Sequence, residues 1–199
     1  MKYPKLRELR EAIRALIRGP YTTRFPKEPH VPFERFRGKP EFHDEDCTGC
    51  GACVNVCPSG ALSMKDAGDK RRLEIRWDIC VFCGQCQTNC LTEKGIILSQ
   101  EFDFATTEKR QDLRQEIEKD LVICQGCGEI IAPHDHILWV AKKLGPLTFS
   151  NPSLMLFYLE SQRLSFGEPE IKSKEKEFLR ADRIRILCPR CRREAVVKS

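Results

Sequence analysis

Residues 47–58 read CTGCGACVNVCP, and residues 80–91 read CVFCGQCQTNCL. Both are C-x2-C-x2-C-x3-C, and the second begins at Cys80, 33 positions after Cys47. No other feature constrains the fold as strongly. Three thiolates on a tight loop can wrap one face of an iron–sulfur cubane, and the fourth ligand must then come from elsewhere. Zinc, the alternative, takes separated C-x2-C pairs rather than triplets with a fourth thiol close behind. The repeat therefore points to two [4Fe–4S] clusters.

In chains that carry this run twice, the fourth cysteine of each motif ligates the other cluster. By that rule Cys47, Cys50, Cys53 and Cys90 would hold one cluster, and Cys80, Cys83, Cys86 and Cys57 the other. The crossing ties the two halves together and makes folding depend on cluster loading. Gly51 and Gly84 follow the second cysteine of each loop, where a small residue tolerates an unusual backbone angle and lets amide groups approach the sulfurs. Pro58 follows Cys57 in the usual way, whereas Leu91 follows Cys90.

Four more cysteines form two C-x2-C knuckles, Cys124–Cys127 and Cys188–Cys191, with 60 residues between them. Four thiolates from two knuckles suit a closed tetrahedral zinc site with a structural role. A rubredoxin-like single iron uses the same ligands, and a redox disulfide is a third possibility. His134 and His136 lie nearby, but they are expected to sit at a helix start rather than on the metal.

Twelve cysteines in 199 residues would also suit a disulfide scaffold, but such scaffolds are small and secreted. The first twenty residues, MKYPKLRELREAIRALIRGP, have no apolar h-region or cleavage site and are not expected to be a signal peptide. Metal ligation in a reducing compartment accounts better for the regular spacing. The longest apolar run, LMLFYL at 154–159, is far short of the roughly twenty residues that span a bilayer.

Charge separates the chain into parts. Residues 1–40 hold eleven Lys/Arg against four Asp/Glu, whereas residues 41–100 hold six against nine. Leu6, Leu9, Ile13, Leu16 and Ile17 recur three or four apart among Arg7, Arg10, Arg14 and Arg18, so 2–18 is predicted as a basic amphipathic helix stopped by Gly19-Pro20. It either packs on its own domain or docks on a membrane surface or partner. Five prolines in 20–41 make that stretch an extended arm. Strand, turn and strand are expected across 61–77, with the turn near Gly68, and a short strand at GIILS (95–99). Helices are predicted at 108–121, 134–144 and 153–166, and a charged loop at 167–177.

The fold class expected is α+β, with three parts. An N-terminal amphipathic helix and proline-rich docking arm (1–41) precedes a two-[4Fe–4S] ferredoxin-like domain (42–105). A C-terminal helical extension (106–199) is closed by a zinc-ribbon or rubredoxin-like site of four cysteines. No nucleophile–base pair or phosphate loop suggests a catalytic site on this chain. The near-neutral C-terminal part argues against nucleic-acid binding.

GPYTTRFP (19–26), ERFRGKPE (34–41), CVFCGQC (80–86) and ILSQEF (97–102), in that order with the two cysteine motifs, resemble the two-cluster subunit of respiratory complex I. They resemble more closely the iron–sulfur subunit of formate hydrogenlyase and related membrane-bound group 4 [NiFe] hydrogenases. Late C-x2-C pairs belong to the formate hydrogenlyase form. The resemblance implies an electron-transfer subunit, peripheral on the cytoplasmic side of the cell membrane. Its partners would be the small and large [NiFe] hydrogenase subunits, a membrane-arm subunit, and a formate dehydrogenase or ferredoxin-type donor module. The alternatives are a complex I-like NAD(P)H or ferredoxin oxidoreductase subunit, and a free ferredoxin-type carrier. Free carriers are usually small and acidic, unlike a chain with a basic arm.

Overall fold

Leu73 and Ile75 alternate with Arg72, Glu74 and Arg76, and this period of two makes Lys70–Arg76 a strand with one face inward. The computed structural model describes residues 5–19, 22–107, 110–164 and 185–197. In it Leu73 and Ile75 are fully buried. β2 (Leu62–Ala67) and β3 (Lys70–Arg76) form a hairpin over a two-residue turn at Gly68-Asp69, in register Leu62↔Ile75 and Met64↔Leu73. Gly68 has a φ of 61°, which the tight turn demands. A second, small sheet pairs β1 (Pro40–Phe42) with β4 (Ile96–Leu98), Phe42 opposite Ile96. Phe42, Leu62, Leu73, Ile75 and Ile96 close one core together with Cys53 and Cys86.

Over the described residues 110–121, the expected helix at 108–121 is not there. Residues Arg110–Asp112 make one short 3-10 turn, and Arg114–Ile123 is a ten-residue strand, β5. Leu113, Ile117 and Leu121 are four apart, a spacing that fits a helix but, being even, also fits a strand. Gln115 and Lys119 occupy the intervening inward positions, and their polarity hid the alternation. Context decides the matter: β5 completes the open edge of β3, pairing Leu73↔Ile117, and Arg72 meets Glu118 at 2.8 Å across the strands. β6 (Ile130–Pro133) adds to β5, giving the order β2-β3-β5-β6.

Gln115 also joins the two sheets. Its Oε1 accepts from the Phe42 amide at 2.7 Å and its Nε2 donates to the Phe42 carbonyl at 3.1 Å. One side chain thus satisfies both backbone groups of a buried strand residue, which would otherwise be costly to bury.

Beyond β6, α4 (His134–Leu144) runs as expected, and α5 (Pro152–Ser161) is shorter than the predicted 153–166. Asn151 caps α5, its side chain accepting from the amides of Ser153 and Leu154 at 3.0 and 3.2 Å, with Pro152 in the first turn. α6 (Pro189–Val197) was not anticipated. The charged stretch 167–177 lies outside the described residues.

Residues 1–36 form a separate unit. Its helix, α1 (Leu6–Arg18), ends where Gly19, at φ 80°, donates its amide back to the Ala15 carbonyl. Leu6, Leu9, Ile13, Leu16 and Ile17 are all exposed and α1 buries none of its residues. Residues 2–4 of the predicted helix and Pro20 of its stop lie outside the described residues. No strand or helix occurs among the described residues 22–39.

Gly38, the second residue of the larger unit, sits at a point of close backbone approach. Its amide donates to the Ser99 carbonyl at 2.9 Å, and a Cβ there would lie 2.6 Å from that oxygen. Gly38→Ala is therefore expected to force β1 away from the chain after β4 and to destabilise the fold by roughly 1–3 kcal/mol. A lowered guanidinium midpoint of the anaerobic, cluster-loaded protein would register the change. An unchanged midpoint would mean that the backbone yields freely at this point.

Candidate metal centres

The two cysteine loops have the same local build. In each, a glycine in the left-handed conformation, Gly51 at φ 77° or Gly84 at φ 80°, starts a single helical turn, α2 (Ala52–Asn55) or α3 (Gln85–Thr88). A Cβ on Gly51 would lie 2.8 Å from Met64 Sδ, so both backbone angle and space call for glycine there. The turn carries the third cysteine, Cys53 or Cys86, inward, and both are buried. The amides of Gly49 and Phe82 each donate to the first sulfur of their loop, Cys47 and Cys80, at 3.4 Å. The fourth cysteines are equivalent too: Cys57 Sγ lies 3.7 Å from Ser59 Oγ, and Cys90 Sγ 3.5 Å from Thr92 Oγ1.

The chain brings these eight thiols to two small cavities. Cys47, Cys50, Cys53 and Cys90 line one, walled by Phe42, Leu73 and Ile96. Cys57, Cys80, Cys83 and Cys86 line the other, walled by Leu62, Ile75 and Leu98. Each cavity thus holds three cysteines of one motif and the last of the other.

Burial, with the nearby Cys47, Cys50 and Cys86 thiols, pushes the Cys53 thiol up to about 12. Burial pushes Cys86 up to about 11, and it raises Cys47 and Cys80 as well. For Cys57 and Cys90 burial acts the same way, but hydroxyl and amide donors outweigh it. Ser59, Ala61 and Leu62 supply them to Cys57, and Thr92, Gly95 and Ile96 to Cys90, so both thiols fall below the ordinary value. Four such sulfurs in an apolar cavity become thiolates together only around a multiply charged metal centre. The donor set fits an iron–sulfur cubane.

Residues 33–94 match the family described as "4Fe-4S dicluster domain". This segment is a 4Fe-4S dicluster domain. It carries two [4Fe–4S] clusters, as the repeated motif led us to expect.

Known proteins match the chain over longer stretches. Formate hydrogenlyase subunit 6 of Escherichia coli (strain K12) is 34% identical over 122 residues, covering 60% of this chain and 66% of that protein. NAD(P)H-quinone oxidoreductase subunit I of Gloeobacter violaceus is 30% identical over 101 residues, covering 47% of this chain and 48% of that protein. The match to these two thus takes in just under two thirds of the first and about half of the second. NADH-quinone oxidoreductase subunit I 2 of Geobacter metallireducens is 28% identical over 122 residues, with 56% and 92% covered. Among solved structures, the membrane-bound sulfane sulfur reductase, an archaeal respiratory membrane complex, aligns at 26% identity. The TM-score is 0.41, over 57% of this chain and 62% of that one. The two families named by the sequence resemblance are the ones found.

Several residues that serve the dicluster domain had no signal in the sequence. Trp77 Nε1 donates to the Pro40 carbonyl at 2.8 Å, and Phe104 stacks between Trp77 and Phe82, with centroids 6.2 and 5.9 Å away. The chain after β4 thereby covers the second cysteine loop. Arg71 donates to the Gly49 carbonyl at 3.1 Å while paired in a fork with Asp66. Lys119 of β5 reaches the first loop from the far side. It donates to the Asp44 carbonyl at 2.5 Å and pairs with the Asp44 and Asp135 carboxylates at 2.8 and 3.1 Å. Both cations meet the first loop through contacts that only the tertiary fold determines.

The last four cysteines also converge. The sulfurs of Cys124, Cys127, Cys188 and Cys191 lie within 4.8 Å of one another, and all but Cys127 are buried. The β5–β6 turn supplies the first knuckle, and the entry to α6 supplies the second. Amides point at the sulfurs: Cys188 N to Cys124 Sγ at 3.2 Å, Gly126 N to Cys124 Sγ at 3.4 Å, and Cys191 N to Cys188 Sγ at 3.5 Å. Burial raises the Cys124 thiol, but the amides of Cys188, Cys127 and Gly126 together override it and bring it down to about 7. Burial and the neighbouring thiols push Cys191 up. His134 opens α4 and packs edge-on against Phe157 at 5.0 Å, and neither it nor His136 joins the thiol group. Among the described residues no helix is long and apolar enough to cross a membrane.

Proposed function

We propose that this chain is an electron-transfer subunit, peripheral on the cytoplasmic face of a membrane-bound complex of the formate hydrogenlyase type. It would relay electrons between a formate dehydrogenase or other donor module and the small subunit of a [NiFe] hydrogenase. The observation that carries this reading is the pair of four-cysteine cavities in a dicluster domain whose relatives are, by name, subunits of larger oxidoreductases.

Cys47, Cys50, Cys53 and Cys90 would hold one cluster, and Cys57, Cys80, Cys83 and Cys86 the other. The clusters supply reversible one-electron transfer. The apolar walls exclude water from the sulfurs, and the amide and hydroxyl donors around Cys57 and Cys90 offset thiolate charge. Cys124, Cys127, Cys188 and Cys191 would hold zinc, because a closed, mostly buried set of four sulfurs suits a structural metal. In this division 42–105 is the redox domain and 106–199 an extension secured by zinc. Residues 1–41 are a docking arm, a role supported by the exposed apolar stripe of α1 flanked by arginines.

The second reading, a complex I-like subunit, is favoured by the 92% of the Geobacter metallireducens protein that the match covers. Both readings are tested by anaerobic purification from native membranes in mild detergent, with the bound subunits identified by mass spectrometry. A [NiFe] large subunit and membrane subunits support the first, and NADH- or quinone-linked subunits the second. A chain that emerges alone with clusters loaded overturns both. Truncating residues 1–18 is expected to leave iron content unchanged while the chain no longer co-purifies with its complex. Undiminished co-purification would remove the docking role from α1.

A further inference from the structure

Lys119 is a charged residue at an inward strand position, its side chain only 8% exposed. Its stem lies against the first cysteine loop: a Cβ on Gly49 would sit 3.1 Å from Lys119 Cγ. Its ammonium bonds to Asp44, three residues before Cys47, and to Asp135 in the first turn of α4. The charges are not placed alike. The Asp44 and Asp135 side chains are 65% and 46% exposed, so water screens them, while the ammonium lies on the protein side where screening is weak. Of the other charges here, Arg71 is neutralised by its fork with Asp66, and Asp120 points the other way to pair with Lys70. The second loop is treated differently: Arg37 donates to its Cys83 carbonyl at 3.2 Å from an exposed position.

We propose that Lys119 is a positioning residue for the first cysteine loop and that its fixed charge holds up the reduction potential of the cluster at Cys47, Cys50, Cys53 and Cys90. The inference rests on the ligand sets given above. Reduction adds one electron, taking a [4Fe–4S]2+ core to [4Fe–4S]+ with no bond made or broken. The reduced centre is the more negative of the two, so a nearby cation favours it and raises the potential. Burial works against the charge on Lys119, but the bonds to Asp44 and Asp135 outweigh it and raise its pKa, so it stays an ammonium at neutral pH. Because β5 lies beyond the segment that matches the dicluster family, the extension would tune one cluster and leave the other alone.

The test is an anaerobic dithionite titration of the full chain followed by EPR, comparing wild type with Lys119→Met, Lys119→Gln and Lys119→Arg. Cys90→Ser identifies the first cluster's signal by its loss. Loss of one and the same signal in Cys47→Ser and in Cys90→Ser checks the ligand reading, and a shift in one midpoint checks the inference, so the two fail separately. At the wild-type midpoint, Lys119→Met is expected to lower the reduced-to-oxidised ratio of the first cluster roughly threefold or more. The second cluster should not move, and Lys119→Arg should stay close to wild type. Unchanged midpoints with both clusters present, or equal shifts in both, overturn the proposal. If Lys119→Met fails to load the first cluster, Lys119→Gln decides. It removes the charge but keeps a hydrogen-bond donor for the Asp44 carbonyl, so a lowered first midpoint supports the proposal and an unchanged one overturns it.

Discussion

Replacing Cys90 with Ser is expected to abolish the cluster proposed for Cys47, Cys50 and Cys53 and to spare the one in the other loop. Iron should fall from about eight to about four atoms per chain. The residue belongs by sequence to the second motif, yet its sulfur lines the cavity of the first, where Thr92 Oγ1 at 3.5 Å and the amides of Gly95 and Ile96 hold it. Serine offers a harder and shorter donor to a site built for sulfur. The loss would not be local. Cys53 packs in the main core with Phe42, Leu73 and Ile96, and its thiol, pushed up to about 12, would revert to an uncharged group lining a void. Stability should drop by several kcal/mol, as for other cavity-forming changes. An EPR spectrum that loses the Cys80–Cys83–Cys86 cluster instead would show that each motif ligates its own cluster.

The repeat was legible because cluster chemistry demands residue types at fixed spacing, and the loops that meet the demand are local. Gly51 and Gly84 follow from the same logic. The hairpin of β2 and β3 was legible too, since Leu73 and Ile75 alternate plainly with charge and Gly68 marks the turn. β5 was not. Its inward face is Gln115, Ile117, Lys119 and Leu121, and half of those residues are polar because each has a distant task. Gln115 completes the backbone bonding of Phe42, 73 residues earlier, and Lys119 bonds to Asp44, 75 residues earlier. A residue chosen for a partner far along the chain breaks the local pattern by which its own element would be recognised. The four-residue spacing of the apolar positions then favoured the wrong period. α6 was missed for a related reason: four of the nine residues of PRCRREAVV are charged and lie together, and the residues it buries are Cys191 and Ala195, so its place is set by sulfur rather than by an apolar stripe.

That dependence leads to the second large effect. Cys124→Ser is expected to release the C-terminal segment while the cysteine motifs of the dicluster domain keep their iron. The core of this region is made of Cys124, Leu187, Cys188, Cys191 and Ala195, with Cys127 and Ile131 against it. Four of those seven are thiols, so little apolar area remains to hold residues 185–197 once a ligand is gone. Other ties include the bonds that Gln125 exchanges with Ile186 at 2.9 Å each way, and Ser153 Oγ, which accepts from the Leu187 amide at 3.1 Å and lies 3.3 Å from the Arg185 and Leu187 carbonyls. Structural zinc sites contribute about 10 kcal/mol or more of apparent binding free energy, which is folding free energy for the segment they close. The variant should lose one metal equivalent by elemental analysis. The amides of α6 should lose their protection from hydrogen exchange, with β3 and the inner half of β5 unaffected. Acid should act like the mutation: protons compete with the metal for the four thiolates, so retention declines as pH falls. Full protection of α6 after Cys124→Ser would mean that packing alone holds the extension and that the four thiols serve some other purpose.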